Sequence, residues 1–174
     1  LFCLAEVVYR VVPALYEELA QWMETVFALP PELERMPLVL RFGSWVGGDM
    51  DGNTEVHAKA IRETLHRQQQ RIISSYYEDC RALASKLSQS AGRVGVGHEL
   101  EARIAEYDIL LPKARAGAST RHDRMPYRIF LAQVAERLRT TYDGRPNHYE
   151  SVAQFIHDIE LVATSLRANR GRHA

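Results

Sequence analysis

The chain has 174 residues, of which 46% are hydrophobic and 25% are charged, values typical of one ordinary globular domain. Its 22 basic and 22 acidic residues give a net charge of zero, so no global field attracts a polyanion or an acidic membrane. Nucleic acid and membranes are therefore not expected partners. No apolar run approaches the ~20 residues that cross a bilayer.

The two cysteines, Cys3 and Cys80, exclude a disulfide framework and favour reduced thiols in a cytoplasmic protein. The first residues already follow a helical apolar pattern with no cap before them, and the last ten pass from a helical pattern into a basic tail. We expect the chain to be a piece of a longer protein.

The first predicted elements are a helix over residues 1–29 and a strand over residues 37–43. Pro13 should kink or restart the helix, because proline lacks a backbone N–H and clashes with the preceding turn. Trp22 falls at helical spacing and is predicted to lie in the core. The run PLVLRFG from Pro37 to Gly43 is bounded by turn residues and rich in strand formers.

Four apolar patterns of helical period predict the rest of the fold. They cover residues 54–90, residues 98–111 before Pro112, a helix that begins near Pro126 and stops before 142–146, and a last helix. One face of that last helix is predicted to consist of Val152, Phe155, Ile156, Ile159, Val162, Ala163 and Leu166. The fold class is thus mostly α with one short strand. A lone strand cannot satisfy its own backbone, so its partners lie outside this chain or the segment is irregular.

Chemistry is predicted in the loop that follows the strand, SWVGGDMDGN over residues 44–53. Gly47 and Gly48 would let backbone N–H groups approach a ligand, and Asp49 and Asp51 would accept hydrogen bonds or hold an arginine. An alternative interpretation takes Asp51 and Asn53 as a turn and helix N-cap.

Metal sites are not predicted by spacing. The pattern D-x-D-x-N at 49–53 begins like a calcium loop, but Thr54 and Ala60 stand where that motif needs glycine and glutamate. The cysteines and histidines show no zinc-ligand spacing. Two groups of arginines, at 115, 121 and 124 and at 167, 170 and 172, leave open an anion-binding regulatory module.

The string LRFGSWVGGDMDGN at residues 40–53 closely resembles the F-G-S-W-M-G-G-D-R-D-G-N-P signature of phosphoenolpyruvate carboxylase. The string VVPALYEEL at residues 11–19 and the segment Pro126-Tyr127-Arg128 are also similar to that family. Together these matches extend the resemblance over nearly the whole chain.

The resemblance implies a central piece of a large, mostly helical enzyme built around an α/β barrel. That enzyme forms oxaloacetate and phosphate from phosphoenolpyruvate and bicarbonate, with Mg²⁺ or Mn²⁺, and is a cytoplasmic homotetramer. By resemblance, Trp45 lines an apolar pocket for carbon dioxide. The implied substrate-binding residues are Trp45, Gly47, Gly48, Asp49, Asp51 and Asn53.

The sequence departs from the family pattern at Met50, where the family has arginine, and at Thr54, where it has proline. It also lacks the family's T-A-H-P-T-E segment with the catalytic histidine, its metal-binding carboxylates and its arginine-bearing loop. We therefore expect no catalytic residue, no metal ligand and no carboxylase activity in the isolated chain. The alternative function is a helical interaction or scaffold domain without catalysis.

Overall fold

The structure, a computed structural model, describes residues 3–28, 36–45, 48, 51, 56–87, 95–116 and 125–169. Helices make up 77% of this part of the chain, which confirms the predicted mostly helical class. A π-helical segment, Cys3–Val8, is followed by six α-helices: α1 Tyr9–Phe27, α2 Ala58–Lys86, α3 His98–Leu110, α4 Pro112–Ala116, α5 Pro126–Tyr142 and α6 Val152–Ala168. None of these helices is long and apolar enough to span a bilayer. The backbone forms two compact units, residues 1–71 and 72–174, and α2 runs from one into the other.

The predicted strand is wrong for this chain, because residues 36–45 form neither helix nor strand. The described residues include no strand with which this segment could pair, and an isolated strand has no ladder to satisfy its backbone. One contact fixes the segment against α1: the N–H of Val39 donates a hydrogen bond to the hydroxyl oxygen of Tyr16 at 2.9 Å. The irregular alternative is therefore the one observed.

In the first unit, the helix continues through Pro13 instead of restarting there. The change from π-helical to α-helical geometry falls between Val8 and Tyr9, four to five residues earlier. An N–H at position 13 would donate to the carbonyl of Tyr9 in an α-helix or of Val8 in a π-helix. Pro13 has no N–H, so neither carbonyl receives this hydrogen bond. Proline therefore moves the irregularity upstream by one turn.

The predicted core position of Trp22 is also wrong, since its side chain is 67% exposed. The side of α1 that faces its own unit carries the buried Ala20 and the half-buried Tyr16, Leu19 and Met23. Helical spacing showed that Trp22 belongs to an apolar stripe, but α1 has two such stripes, and this unit covers the other one.

The second unit is built around α5. The most deeply buried apolar side chains of α5, all 3% exposed or less, are Tyr127, Phe130, Leu131, Val134 and Leu138. Their helical spacing gives α5 a wide apolar face, against which the C-terminal part of α2 and helices α3 and α6 contribute the other core residues. The rings of Tyr107 on α3 and Phe130 stack with centroids 5.8 Å apart.

Both ends of α5 follow from local sequence. Pro126 occupies the first turn, where its missing N–H costs no helical hydrogen bond. At the other end, the N–H of Gly144 bonds to the carbonyl of Thr141 and the N–H of Arg145 to that of Thr140, which is the Schellman pattern. Gly144 has φ of +64°, a conformation that favours glycine.

Pro112 does end α3 as predicted, but it also begins the five-residue helix α4. A proline cannot continue the preceding helix, whereas its fixed φ suits the first turn of the next one. Leu111 is buried at the junction. Two short helical segments therefore meet where the sequence pattern predicted a helix followed by a loop.

The predicted apolar face of α6 is partly wrong. Val152 and Ile156 are 70% and 49% exposed, whereas Asp158 and Ser165 are 1% and 4% exposed. The Ser165 hydroxyl accepts a hydrogen bond from the N–H of Gly97 at 2.8 Å. The buried face of α6 thus includes the polar side chains of Asp158 and Ser165, because partners on neighbouring segments satisfy their hydrogen bonds.

Candidate functional site

The loop singled out in the sequence presents its indole to solvent. Trp45 is 81% exposed, and the N–H of Gly48 donates a hydrogen bond to the Trp45 carbonyl at 2.9 Å. This bond closes a four-residue turn, and Asp51 lies exposed at a bend shortly after it. Of the six predicted substrate-binding residues, the structure places these three; the other three, Gly47, Asp49 and Asn53, lie outside the described residues.

The backbone around the turn is open. Among the described residues, a side chain at Gly48 would meet only the Trp45 carbonyl, at an ordinary 3.7 Å, and one at Gly43 would meet nothing within 4 Å. Neither residue has a φ in the left-handed region. At these two positions, the described chain itself does not require glycine, so an approaching ligand or chain segment would find the backbone accessible.

The N-cap of α2 is His57, whose Nδ1 accepts a hydrogen bond from the N–H of Ala60 at 3.1 Å. Asp51 lies six residues before this position. Asp51 therefore does not cap the helix, although its bend agrees with the turn part of the alternative interpretation. The capping group is one that the sequence analysis did not consider. Asn53, its companion in that interpretation, falls in the part left undescribed.

Within the described ranges, no group of three His, Cys, Asp or Glu side chains could hold a metal ion. A metal site built from three or more side chains is thus not provided by this part of the chain. No step of a reaction can be assigned to a metal from these residues.

The sequence analysis missed a buried polar cluster centred on Asp158 of α6. The hydroxyls of Tyr107 and Tyr149 donate hydrogen bonds to its Oδ2 at 2.5 and 2.6 Å. Arg137 lies 3.8 Å from the same oxygen and also donates to the Tyr107 hydroxyl, and Arg103 lies 3.9 Å from Oδ1. The cluster joins α3, α5, α6 and the segment before α6 at one carboxylate.

The role of this cluster is structural: its hydrogen bonds hold together the segments that meet at Asp158. Burial, together with Asp158, raises the pKa of Tyr107 to about 12 and raises that of Tyr149 still further. Both phenols therefore stay protonated and act as donors. The guanidinium of Arg137 lies over the Tyr149 ring, 4.2 Å from its centroid, which adds a cation–π contact. A sequence signal was present, because Asp158 shares a helical stripe with Leu161, Val162 and Ser165.

The raised pKa values predict a loss of stability in alkali. In the unfolded chain a phenol ionises near its ordinary pKa of 10.0, whereas folded Tyr107 stays protonated until about pH 12. The stabilisation is thus complete below pH 10 and is lost as the pH rises through this window. Urea unfolding of the chain should show a midpoint that falls steadily above about pH 10. Tyr107→Phe should make this fall shallower, and a midpoint that is flat up to pH 12 would contradict the assignment.

A separate cleft of about 310 Å³ lies between α2 and α5 in the second unit. Its lining residues are Ile73, Ser74, Tyr77, Glu78, Leu138, Arg139, Tyr142 and Asp143. None of them was predicted to bind substrate, and the Asp143 carboxylate is paired with Arg145 at 2.8 Å. The predicted loop and this cleft are therefore different features of the molecule.

The fold and the turn define a helical protein segment that presents an indole on a glycine-rich turn, with no group of three metal-ligating side chains in its described residues. The sequence profile of the phosphoenolpyruvate carboxylase family matches residues 1–174. The chain belongs to the phosphoenolpyruvate carboxylase family.

Relatives named phosphoenolpyruvate carboxylase match almost the whole chain. The protein from Xanthomonas euvesicatoria pv. vesicatoria is 43% identical over 173 residues, which are 99% of this chain and 19% of that protein. The one from Xanthomonas campestris pv. campestris strain 8004 is 42% identical with the same coverage, and that from Thermosynechococcus vestitus is 34% identical over 79% of the chain and 14% of the relative. The chain thus spans about a fifth of the Xanthomonas relatives. No solved structure matches it significantly.

Proposed function

We propose that this chain is a segment of a cytoplasmic, tetrameric enzyme that converts phosphoenolpyruvate and bicarbonate into oxaloacetate and phosphate. The observation that carries the proposal is the exposed indole of Trp45 on the turn closed by Gly48, within the string that resembles the family signature. An indole that is 81% exposed is available to form one wall of a pocket whose other walls belong to the rest of the enzyme.

Trp45 would form the apolar wall beside the reacting enolate and carbon dioxide. A neutral gas gains nothing from polar groups, and an enolate exposed to water is protonated before it can form a carbon–carbon bond. An indole beside them would exclude water from both the enolate and the carbon dioxide. The open backbone at Gly43 and Gly48 would let this wall approach the substrates closely.

Residues 36–45 would lie against the strands of an α/β barrel in the full-length enzyme. In this chain the large apolar side chains of Leu38, Phe42 and Trp45 are 70%, 55% and 81% exposed, which is surface that the rest of the enzyme would cover. A barrel supplies both the neighbouring strands and the apolar cover that this segment lacks among the described residues.

The metal and the catalytic histidine would come from elsewhere in the enzyme. The described residues include no group of three side chains that could hold a metal ion, and the T-A-H-P-T-E segment is not in the sequence. The role proposed for this chain is therefore to form part of the pocket wall, to exclude water from the pocket and to support the barrel.

The isolated chain is expected to be inactive. We expect no oxaloacetate above background when it is mixed with phosphoenolpyruvate, bicarbonate and Mg²⁺ and oxaloacetate is coupled to NADH oxidation. The matched control is a chimera in which this chain replaces the corresponding 19% of the X. euvesicatoria carboxylase. The chimera should turn over. Sustained turnover by the isolated chain, or a folded chimera without activity, would contradict the proposed function.

A further inference from the structure

Helix α1 has a second apolar face, which the described residues do not cover. It consists of Val11, Leu15, Trp22 and Val26, which are 41% to 67% exposed. At 100° per residue, their spacings of four, seven and four place them within an arc of about 60°. We call these four residues the outer stripe.

The outer stripe differs from the face that packs within the first unit. That inner face centres on the half-buried Tyr16 and Met23, roughly a quarter turn around the helix. A third side of α1 is polar and carries Glu17 and Glu24, both exposed. A helix that is apolar on two sides and polar on the third is typical of one packed between two layers.

We infer that the outer stripe packs against the part of the carboxylase polypeptide that lies outside these 174 residues. This inference rests on the proposed function. The related X. euvesicatoria enzyme has about four fifths of its length outside the matched region, which is ample chain to supply the second layer. Trp22 would be the anchor of this contact, because a large aromatic ring buries the most apolar area per side chain.

A second copy of the chain is a poorer occupant. Stable dimers bury ~800 Å² on each partner, much more than four side chains of one helix can provide. Packing within one polypeptide requires no such area, because the two surfaces are already connected and lose little translational freedom. The small size of the outer stripe therefore favours an intramolecular partner.

Cysteine labelling tests the inference. In a Cys3→Ser background, which removes an exposed thiol, Val11→Cys reports on the outer stripe and Glu17→Cys on the polar side. Each variant is made both in the isolated chain and in the chimera with the X. euvesicatoria carboxylase. Maleimide labelling at each position is followed by peptide mass spectrometry.

In the isolated chain both positions should be labelled at similar rates. In the chimera Val11→Cys should be labelled at least about tenfold more slowly, while Glu17→Cys keeps its rate. Equal labelling of the two positions in the chimera, whether fast or slow, overturns the inference. Protection of Val11→Cys in the isolated chain that increases with protein concentration overturns it in favour of a second copy.

Carboxylase activity of the same chimera separates this inference from the proposed function. If Val11→Cys is protected in a folded chimera that has no activity, the packing of the outer stripe is supported and the proposed function is contradicted. If the chimera is active and Val11→Cys is not protected, the proposed function is supported and the packing inference is overturned. Should the chimera not fold, the same two substitutions at the aligned positions of the intact X. euvesicatoria enzyme provide the measurement, with equal labelling again overturning the inference.

Discussion

Asp158→Ala is expected to lower the free energy of unfolding by about 3–5 kcal/mol, because it removes the shared acceptor of a buried cluster. Two buried phenols would lose their 2.5 and 2.6 Å hydrogen bonds, and Arg137 would lose a nearby counter-charge. Urea unfolding of the isolated chain, followed by far-UV circular dichroism, measures the loss.

The matched control is Asp143→Ala. That carboxylate is 40% exposed and pairs with Arg145 at the surface, so its removal should cost less than about 1 kcal/mol. If Asp158→Ala does not fold, Tyr149→Phe, which removes one donor and keeps the ring, should still cost about 1–2 kcal/mol. Losses at Asp158 and Tyr149 no larger than at Asp143 would contradict a stabilising role for the cluster.

Trp45→Ala is expected to reduce oxaloacetate formation by the chimera about 10- to 100-fold, equivalent to roughly 1.4–2.7 kcal/mol of barrier. If Trp45 forms the proposed pocket wall, its loss would let water reach the enolate, and a larger share of phosphoenolpyruvate should end as pyruvate. Coupling to malate dehydrogenase measures oxaloacetate, and coupling to lactate dehydrogenase measures pyruvate.

Trp45→Phe provides the control for this prediction, since it keeps an apolar aromatic wall and should stay within a few-fold of the parent chimera. In the isolated chain, thermal unfolding should be unchanged by either substitution, because the Trp45 side chain is 81% exposed there. If the Trp45→Ala chimera keeps the parent rate and the parent ratio of oxaloacetate to pyruvate, the assignment of Trp45 to the pocket is contradicted.

The helices were predictable from the sequence because their signals are local. Phe130, Val134 and Leu138 recur at helical spacing and are all buried in α5. Pro126 and Gly144 mark the two ends of that helix through backbone restrictions that operate wherever these residues occur.

The family signature in the candidate loop was recognisable for a different reason. A string of glycines, an indole and two aspartates is too specific to arise from helix packing, and the family match over residues 1–174 agrees with it. The sequence could not predict that Trp45 and Gly48 are joined by a turn hydrogen bond, or that His57 caps the following helix. Those contacts depend on the conformation of the intervening backbone.

Two of the wrong predictions concern what packs against an element. Residues 37–43 have strand composition but no strand to pair with in the described chain. Trp22 lies on an apolar stripe that its own unit does not cover. Periodicity identifies a stripe, but it cannot say whether the covering layer belongs to the same segment of chain.

By itself, the sequence determined the positions of the helices, the family and the loop that carries the indole, because spacing, backbone restriction and a specific string are properties of neighbouring residues. Only the tertiary structure decided which faces are buried. Asp158 and Ser165 turn inward on α6 while Val152 and Ile156 turn outward. The physical reason is that a buried polar group is stable only where distant segments supply its hydrogen-bond partners, as Tyr107 does for Asp158 from 51 residues away.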